Sequence, residues 1–308
     1  MTDRGTGSIQ PSAERASVDG VLLLDKPQGI TSNAALQRVK RLLAAKKAGH
    51  VGTLDPMASG LLPICVGEAT KFSGYMLSAD KTYAAEVMLG ATSSTGDAEG
   101  EITMGPRVEI TRTELEAVLE GFRGNIMQTP PMYSALKRDG KPLYAYARAG
   151  EVIELVPRPV TIHALTLSDF KVPSFTMTVT CSKGTYIRVL AEDIGRAIGC
   201  GGMLTGLRRT GVGTFDLSGA IALDALEALT LDRRRDCLMP ADGLVSALPL
   251  LTLEDAAARL ITTGRCPQVQ AKPGLHRLYS RNGRFLGLGE VLDDELVPRR
   301  LMADAPGG

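Results

Sequence analysis

The sequence has no tryptophan, only three histidines and 4% aromatic residues in all. Its five cysteines, at 65, 181, 200, 237 and 266, are odd in number and widely spaced, with no CxxC pair and no histidine at ligand spacing. That pattern argues against a disulfide framework or a zinc centre and fits a reducing cytoplasm. No run of about 18 apolar residues marks a membrane span. The polar start MTDRGTGSIQPSAERAS lacks the apolar h-region of a secretory signal and reads as a disordered tail. Net charge is only +1, so any polyanion-binding surface has to come from local clustering. What is there is ordinary for a soluble protein: 308 residues, 44% hydrophobic and 22% charged, enough for one large domain and a smaller one. No internal repeat stands out.

One absence is local. From residue 26 to residue 54 the chain carries Lys26, Arg38, Lys40, Arg41, Lys46, Lys47 and His50 but no Asp or Glu. Asp55, in GHVGTLDPMASG, is the first carboxylate after Asp25. The basic stretch sets up a positive field that attracts polyanions such as nucleic acid. Asp-Pro framed by glycines also initiates ordinary turns, so the motif alone leaves a structural and a functional reading open.

Residues 21–24 are a short apolar run closed by DKPQG, the pattern of a buried strand ending in a turn. A helix follows, capped by Thr31 or Ser32, with Leu36, Val39 and Leu43 on one face and Arg38 and Arg41 on the other. Its expected end near Gly49 leaves Asp55 on a loop. Tyr83, Ala85, Val87 and Leu89 alternate with Ala84, Glu86 and Met88, a half-buried strand that Tyr83 opens and Gly90 ends. Residues 92–107 read as a turn-rich connection, 113–120 as a short amphipathic helix, and 128–159, rich in Pro, Gly, Tyr and basic residues, as an exposed insertion. Phe175, Met177, Val179 and Cys181 alternate with Thr176, Thr178, Thr180 and Ser182, the clearest strand in the chain. After the turn Lys183-Gly184, residues 186–198 return to helical spacing, so Arg188 falls in a first helical turn just after a strand, a common active-site location. From Leu248 onward short strands predict a small β domain, with a hairpin signal at Asn282-Gly283.

Each candidate residue has a plain structural alternative. DKPQGITS has the Lys, Gly and Thr/Ser of a phosphate cradle but not the GxxxxGK[ST] spacing, so a structural turn is the better reading. His50, near the expected end of a helix, is favoured there by the dipole, and its position does not decide for or against a role. Tyr83 and Tyr186 fit core packing or stacking on an unpaired base. Arg188 sits at the helix end that favours anions, so it calls for a carboxylate partner, and Asp55 is suitable. The basic segments 38–47 and 137–148, with Tyr133, Tyr144 and Tyr146 among them, fit solvated surface or, by preference, an RNA-contacting face.

Taken together, DKPQGITS, GHVGTLDPMASGLLPICVGEATK, DKTY, TPPMYSALKRDGKPLYAYARAG and CSKGTYIRVLAEDIG resemble the TruB family of tRNA pseudouridine synthases, in matching order from about residue 21 to residue 209. LYSRNGRFLGLGEVLDDELVPRRLM is similar, less specifically, to the small PUA domain that follows the catalytic domain in that family. Small departures are Val51, where many members have Thr, and Ser59, where Thr is common; neither touches a catalytic role.

The resemblance implies an α+β fold: a catalytic domain on a mixed, mostly antiparallel β-sheet flanked by helices, plus a β-barrel-like PUA domain. The implied division is a tail at 1–18, a catalytic domain at 19–246 with an RNA-clamping insertion at 128–159, and the PUA-like RNA-binding domain at 247–308. The implied reaction isomerises uridine 55 in the tRNA TΨC loop, a number unrelated to that of Asp55. By motif, Asp55 would be the nucleophile, with Arg188 paired to it. Tyr83 would stack on the flipped base, His50 would help hold the flipped-out loop, Tyr186 would line the pocket and Leu207 would give apolar contact.

The chemistry fits one carboxylate. The bond from ribose C1′ to uracil N1 must break, the base must turn, and C1′ must join C5, with no net redox change; no cofactor or metal is expected. Attack on C1′, attack on the base and a glycal route all use that one acid. The expected partner is tRNA, with no membrane and no obligatory protein partner, and the expected state is a cytoplasmic monomer. An RNA chaperone without chemistry is one alternative, and such folding activity can coexist with catalysis. A guide-RNA-dependent synthase shares the core, but the 128–159 insertion and the lack of long basic tails favour a stand-alone enzyme.

Overall fold

The computed structural model describes residues 18–303 except 135 and 152. The expected tail, 1–18, therefore lies almost entirely outside the described residues. β1 (Gly20–Lys26) is the apolar run GVLLLDK, buried almost throughout. α1 (Ser32–Leu42) starts where the Thr31 hydroxyl accepts the Ala34 N–H, and it buries Leu36 and Val39 while Arg38 and Arg41 face solvent.

That helix stops at Leu42 and not near Gly49. Ala44 takes a left-handed φ of 52°, after which β2 (Ala48–His50) pairs with β3 (Ser59–Val66), Gly49 opposite Cys65 and His50 opposite Ile64. Pairing with a strand further along the chain overrides the local helical signal. His50 is a strand residue, and the helix-dipole account of it falls.

After a 3₁₀ turn, α2 (Ser73–Leu77) leads into β4 (Lys81–Leu89), which begins two residues before Tyr83. β5 (Ala91–Ser93) and β6 (Ile102–Met104) form a hairpin inside the expected turn-rich connection. In α3 (Arg112–Glu120) the cap residue Thr111 and Glu114 exchange hydrogen bonds. β7 (Gly124–Gln128) ends where the expected insertion begins, and that insertion holds a minimal hairpin, β8 (Lys137–Arg138) and β9 (Lys141–Pro142), then α4 (Leu143–Arg148). β10 (Arg158–Lys171) and β11 (Ser174–Cys181) form a long hairpin, and α5 (Ile187–Ile198) follows as expected. β12 (Gly202–Val212), β13 (Phe215–Asp216), β14 (Ile221–Ala222), α6 (Leu223–Ala228) and α7 (Leu231–Asp236) come next.

The main sheet runs β14-β1-β3-β12-β4-β11-β10-β7. Its pairs are antiparallel except β1–β14 and β3–β12, which makes it the mixed, mostly antiparallel sheet expected. Leu36 and Val39 of α1, Leu115 and Leu119 of α3, and Leu190 and Ile194 of α5 share one core with the sheet. α5 lies so close to β12 that a Cβ at Gly195 would sit 2.1 Å from the Gly202 nitrogen, so glycine is required there. That contact sets the height of Arg188 above the sheet.

The C-terminal unit comprises β15 (Leu250–Leu253), α8 (Asp255–Thr262), β16 (Gly274–Ser280), β17 (Phe285–Leu292) and β18 (Glu295–Leu301). The Asn282-Gly283 turn joins β16 to β17 as expected. Among the described residues the four strands form an open sheet, β15-β16-β17-β18, and not a closed barrel, with α8 as an unexpected helix. Leu253, Ile261, Leu278 and Leu296 give it its own core, while Leu288 joins the cluster of Val21 and Phe72, and the Phe285 ring centroid lies 5.4 Å from that of Phe72. No described helix is long and apolar enough to cross a membrane.

Candidate active site

Asp55 lies on the loop between β2 and β3, and that loop is braced by DKPQGITS. The Ser32 hydroxyl donates to the Leu54 carbonyl at 2.8 Å and accepts the Leu54 N–H at 2.7 Å. The Gly29 N–H donates to the Pro56 carbonyl at 2.8 Å. The buried Lys26 ammonium donates to the Pro27 and Ile30 carbonyls, both at 2.8 Å, and burial lowers its pKa to about 8. The segment is a structural turn, and its job is to position the Asp55 loop.

Arg188, in the first turn of α5, reaches Asp55 with Nη2–Oδ2 at 3.0 Å and Asp97 with Nη1–Oδ2 at 3.4 Å. It also donates to the Thr95 and Tyr133 carbonyls, each at 2.9 Å. The guanidinium side chain is 6% exposed and that of Asp97 4%, against 41% for Asp55. Asp97 is itself held by the Thr95 hydroxyl at 2.7 Å and the Glu99 N–H at 3.1 Å. The cation is therefore fixed from behind by a buried carboxylate and offers its front to an acid that solvent and substrate can reach. Glu99, exposed nearby, has its pKa raised by desolvation and then by the charges of Asp97 and Asp55.

A cleft of about 340 Å³ opens over this pair, within the size range of small-ligand sites. Asp55, Tyr83, Tyr186, Arg188 and Leu207 line it together, with Lys81 and Arg209. Five of the six expected site residues are thus brought to one place. His50 is not among the lining residues; its Nδ1 is buried without a hydrogen-bond partner among the described residues, and burial followed by the Arg209 charge lowers its pKa.

The Tyr186 N–H donates to the Gln128 side chain at 2.7 Å, and the Gln128 amide donates back to the Tyr186 carbonyl at 3.1 Å, while the Arg158 guanidinium lies 5.4 Å from the Tyr186 ring centre. Burial pushes the Tyr83 phenol up. Lys81 donates to the Leu77 and Ala79 carbonyls, and burial lowers it to about 8. Within the 128–159 insertion, Lys141 stacks 4.1 Å over Tyr146 and Arg148 5.5 Å over Tyr144, so its basic residues and tyrosines pair as cations and rings. Among the described residues no cluster of His, Cys, Asp or Glu is arranged to hold a metal.

Reading the residues missed Asp97, Gln128, Lys81 and Arg209. Asp97 lies in SSTGDAEGE, where an Asp is the default turn former, so nothing local marks it. Arg209 did leave a signal: it shares a strand face with Leu207, so a charge stands where alternation predicts an apolar residue.

Family profiles match the chain in order. "TruB family pseudouridylate synthase (N terminal domain)" spans residues 40–187, "tRNA pseudouridylate synthase B C-terminal domain" spans 188–246, and "Pseudouridine synthase II TruB, C-terminal" spans 249–302. The tRNA pseudouridine synthase B of Azoarcus sp. (strain BH72) is 56% identical over 300 residues, 97% of this chain and 100% of that one. That of Cupriavidus metallidurans is 52% identical over 313 residues, 98% and 99% of the two chains. A chain from the solved structure of an H/ACA RNP bound to a substrate RNA containing 2′-deoxyuridine superposes with a TM-score of 0.71 over 94% of this chain and 87% of its own, at 23% identity, a likeness of fold. The sheet, its cleft and these matches define the class as pseudouridine synthase, an isomerase. Within that class, the chain belongs to the TruB family.

Proposed function

We propose that this enzyme isomerises uridine 55 in the TΨC loop of tRNA, with Asp55 as the catalytic carboxylate. The observation that carries the reading is the Asp55–Arg188 pair: a half-open acid held at 3.0 Å by a buried guanidinium, in a cleft lined by Tyr83, Tyr186 and Leu207. The target base has to leave its stack to reach Asp55, at a cost of a few kcal/mol, and stacking on Tyr83 together with phosphate contacts offsets that cost. Arg188 fixes the acid, Leu207 gives the base an apolar wall, Tyr186 closes the side, and His50 supports the flipped-out loop. Residues 128–159 clamp the RNA, and 247–308 act as a PUA-like RNA-binding domain. The reaction has no net redox change and is assigned no cofactor. The enzyme acts on cytoplasmic tRNA as a stand-alone monomer.

The test is to incubate the protein with an unmodified tRNA transcript and map pseudouridine by position. Modification at 55 is expected; folded wild-type protein that leaves uridine there refutes the reading. Asp55→Asn removes the charge at a half-exposed side chain, so it should abolish modification and shift stability by no more than about 0.5 kcal/mol. Opening the loop precedes flipping, so any help the enzyme gives to tRNA folding should survive in Asp55→Asn.

A further inference from the structure

We propose that Arg209 is a positioning residue for this reaction: its buried guanidinium clasps both ends of the loop carrying Asp55 and ties that loop to the strand carrying Tyr83. The inference rests on the functional reading above.

Arg209 is 1% exposed, and its donors go to the main chain of one segment. Nε donates to the Leu61 carbonyl at 2.7 Å, Nη2 to the Gly52 carbonyl at 3.1 Å and Nη1 to the Thr53 carbonyl at 3.4 Å. Gly52 and Thr53 precede Asp55 and Leu61 follows it, so one planar fork bridges the base of the loop. In the sheet Arg209 stands opposite Gly60 of β3 on one side and Tyr83 of β4 on the other. Gly60 has φ 101°, and a Cβ there would lie 2.3 Å from the Arg209 carbonyl oxygen, so the close approach of the two strands requires glycine. The guanidinium also faces the Tyr83 hydroxyl. Arginine only donates, so any hydrogen bond between them is accepted by the phenol oxygen, and the phenol hydrogen is left to point elsewhere.

Stability alone does not account for a charge at this position. Among the described residues Arg209 makes no ion pair, so an apolar replacement strands no carboxylate; it leaves three carbonyls without this donor, a loss offset by no longer burying a cation. The two buried lysines nearby differ from it in reach. Lys26 and Lys81 bind carbonyls no more than 4 residues away, whereas the carbonyls of Leu61 and Gly52 lie 148 and 157 residues from Arg209. Such long-range bonds set the loop of β3 against β4, the geometry on which the distance from Asp55 to a base stacked on Tyr83 depends. A misplacement of about 1 Å at a reacting group is enough to lower a rate about 100-fold.

The experiment compares wild type with Arg209→Met and Arg209→Lys, measuring single-turnover pseudouridine formation on a T-arm RNA, RNA affinity and the thermal midpoint. Arg209→Met should stay folded, bind RNA with unchanged affinity and react about 100-fold more slowly. Arg209→Lys keeps the charge but loses the fork, so it should be impaired as well. Millimolar methylguanidinium should restore part of the rate to Arg209→Ala and none to Asp55→Asn, a readout that a purely structural role would not move. A folded Arg209→Met reacting at the wild-type rate, or rates that follow only the folded fraction in every variant, would overturn the proposal. If Arg209→Met does not fold, Arg209→Lys and the methylguanidinium rescue decide by the same criteria. Wild type that makes no pseudouridine would reject the functional reading; active wild type with unaffected variants would reject this inference alone.

Discussion

Replacing Arg188 by methionine separates the structural part of its charge from the catalytic part proposed for it. The guanidinium serves two carboxylates of opposite exposure, Asp97 at 4% and Asp55 at 41% of their side chains. Once the cation is gone, Asp55 can rehydrate, but Asp97 keeps only the Thr95 hydroxyl and the Glu99 N–H. A buried charge stripped of its partner costs about 3–5 kcal/mol, and the orphaned Thr95 and Tyr133 carbonyls add on the order of 1 kcal/mol each. Arg188→Met should therefore lower Tm by roughly 5–15 °C. Adding Asp97→Asn removes the stranded charge and should recover most of that loss, giving a coupling energy of about 2–3 kcal/mol. Activity should not return, because Asp55 still lacks its cation. The assay is urea unfolding of wild type, both single variants and the double variant, with m-values compared to check that each unfolds in one transition, alongside single-turnover modification. Coupling below about 0.5 kcal/mol would refute the view that Asp97 is held in the core by Arg188.

Stability should rise between pH 8 and 9. Burial lowers Lys26 and Lys81 from 10.5 to about 8, so the unfolded chain binds more protons above pH 8 and each pH step favours the fold. Above pH 9 the trend should be offset, because burial pushes Cys65 to about 12 and Cys181 to about 11, and the unfolded thiols ionise first. Lys26→Met should flatten the lower rise, and an unchanged slope of Tm against pH in that variant would contradict the account. Phe72→Ala should cost about 3–5 kcal/mol and open the C-terminal unit to limited proteolysis, since its ring packs on Phe285 across the junction; protection equal to wild type would argue against a shared core. Gln128→Leu orphans the Tyr186 N–H, while the Tyr186 carbonyl keeps the Leu190 N–H at 3.0 Å, and should destabilise by about 1–3 kcal/mol in thermal melts; an unchanged midpoint would show that the pair contributes nothing.

The strands with strong alternation, at Tyr83 and at Phe175, and the helix carrying Arg188 were legible because their signals are local and periodic. The end of α1 was not, because the chain leaves the helix to pair with β3, a contact that helical spacing cannot register. α8 escaped because DAAARLIT is only 8 residues between short strands. Asp55, Tyr83, Tyr186, Arg188 and Leu207 were recoverable from motifs, and the cleft unites them. Asp97, Gln128 and Arg209 were not, because each acts on a residue far away in sequence and two of them look locally like turn or loop chemistry. His50 is the reverse: prominent in its motif, yet not among the residues that line the cleft.

Sheet order explains why the site is spread through the chain. β3, β12, β4 and β11 are neighbours, although β12 is about 140 residues after β3 in sequence. The loop entering β3 brings Asp55, β12 brings Leu207 and Arg209, β4 brings Tyr83, and the turn after β11 leads to Tyr186 and Arg188. Strands and a helix hold Leu207, Arg209, Tyr83 and Arg188, and Tyr186 caps α5, so Asp55, well inside a loop, is the member whose position is least determined by regular structure. That is where the long-range braces gather: Ser32 on Leu54, Gly29 on Pro56, Arg209 on Gly52, Thr53 and Leu61, and Arg188 on the carboxylate itself. On the proposed function, a loop gives Asp55 access to a bulky RNA, and the braces restore the fixed geometry that its chemistry demands.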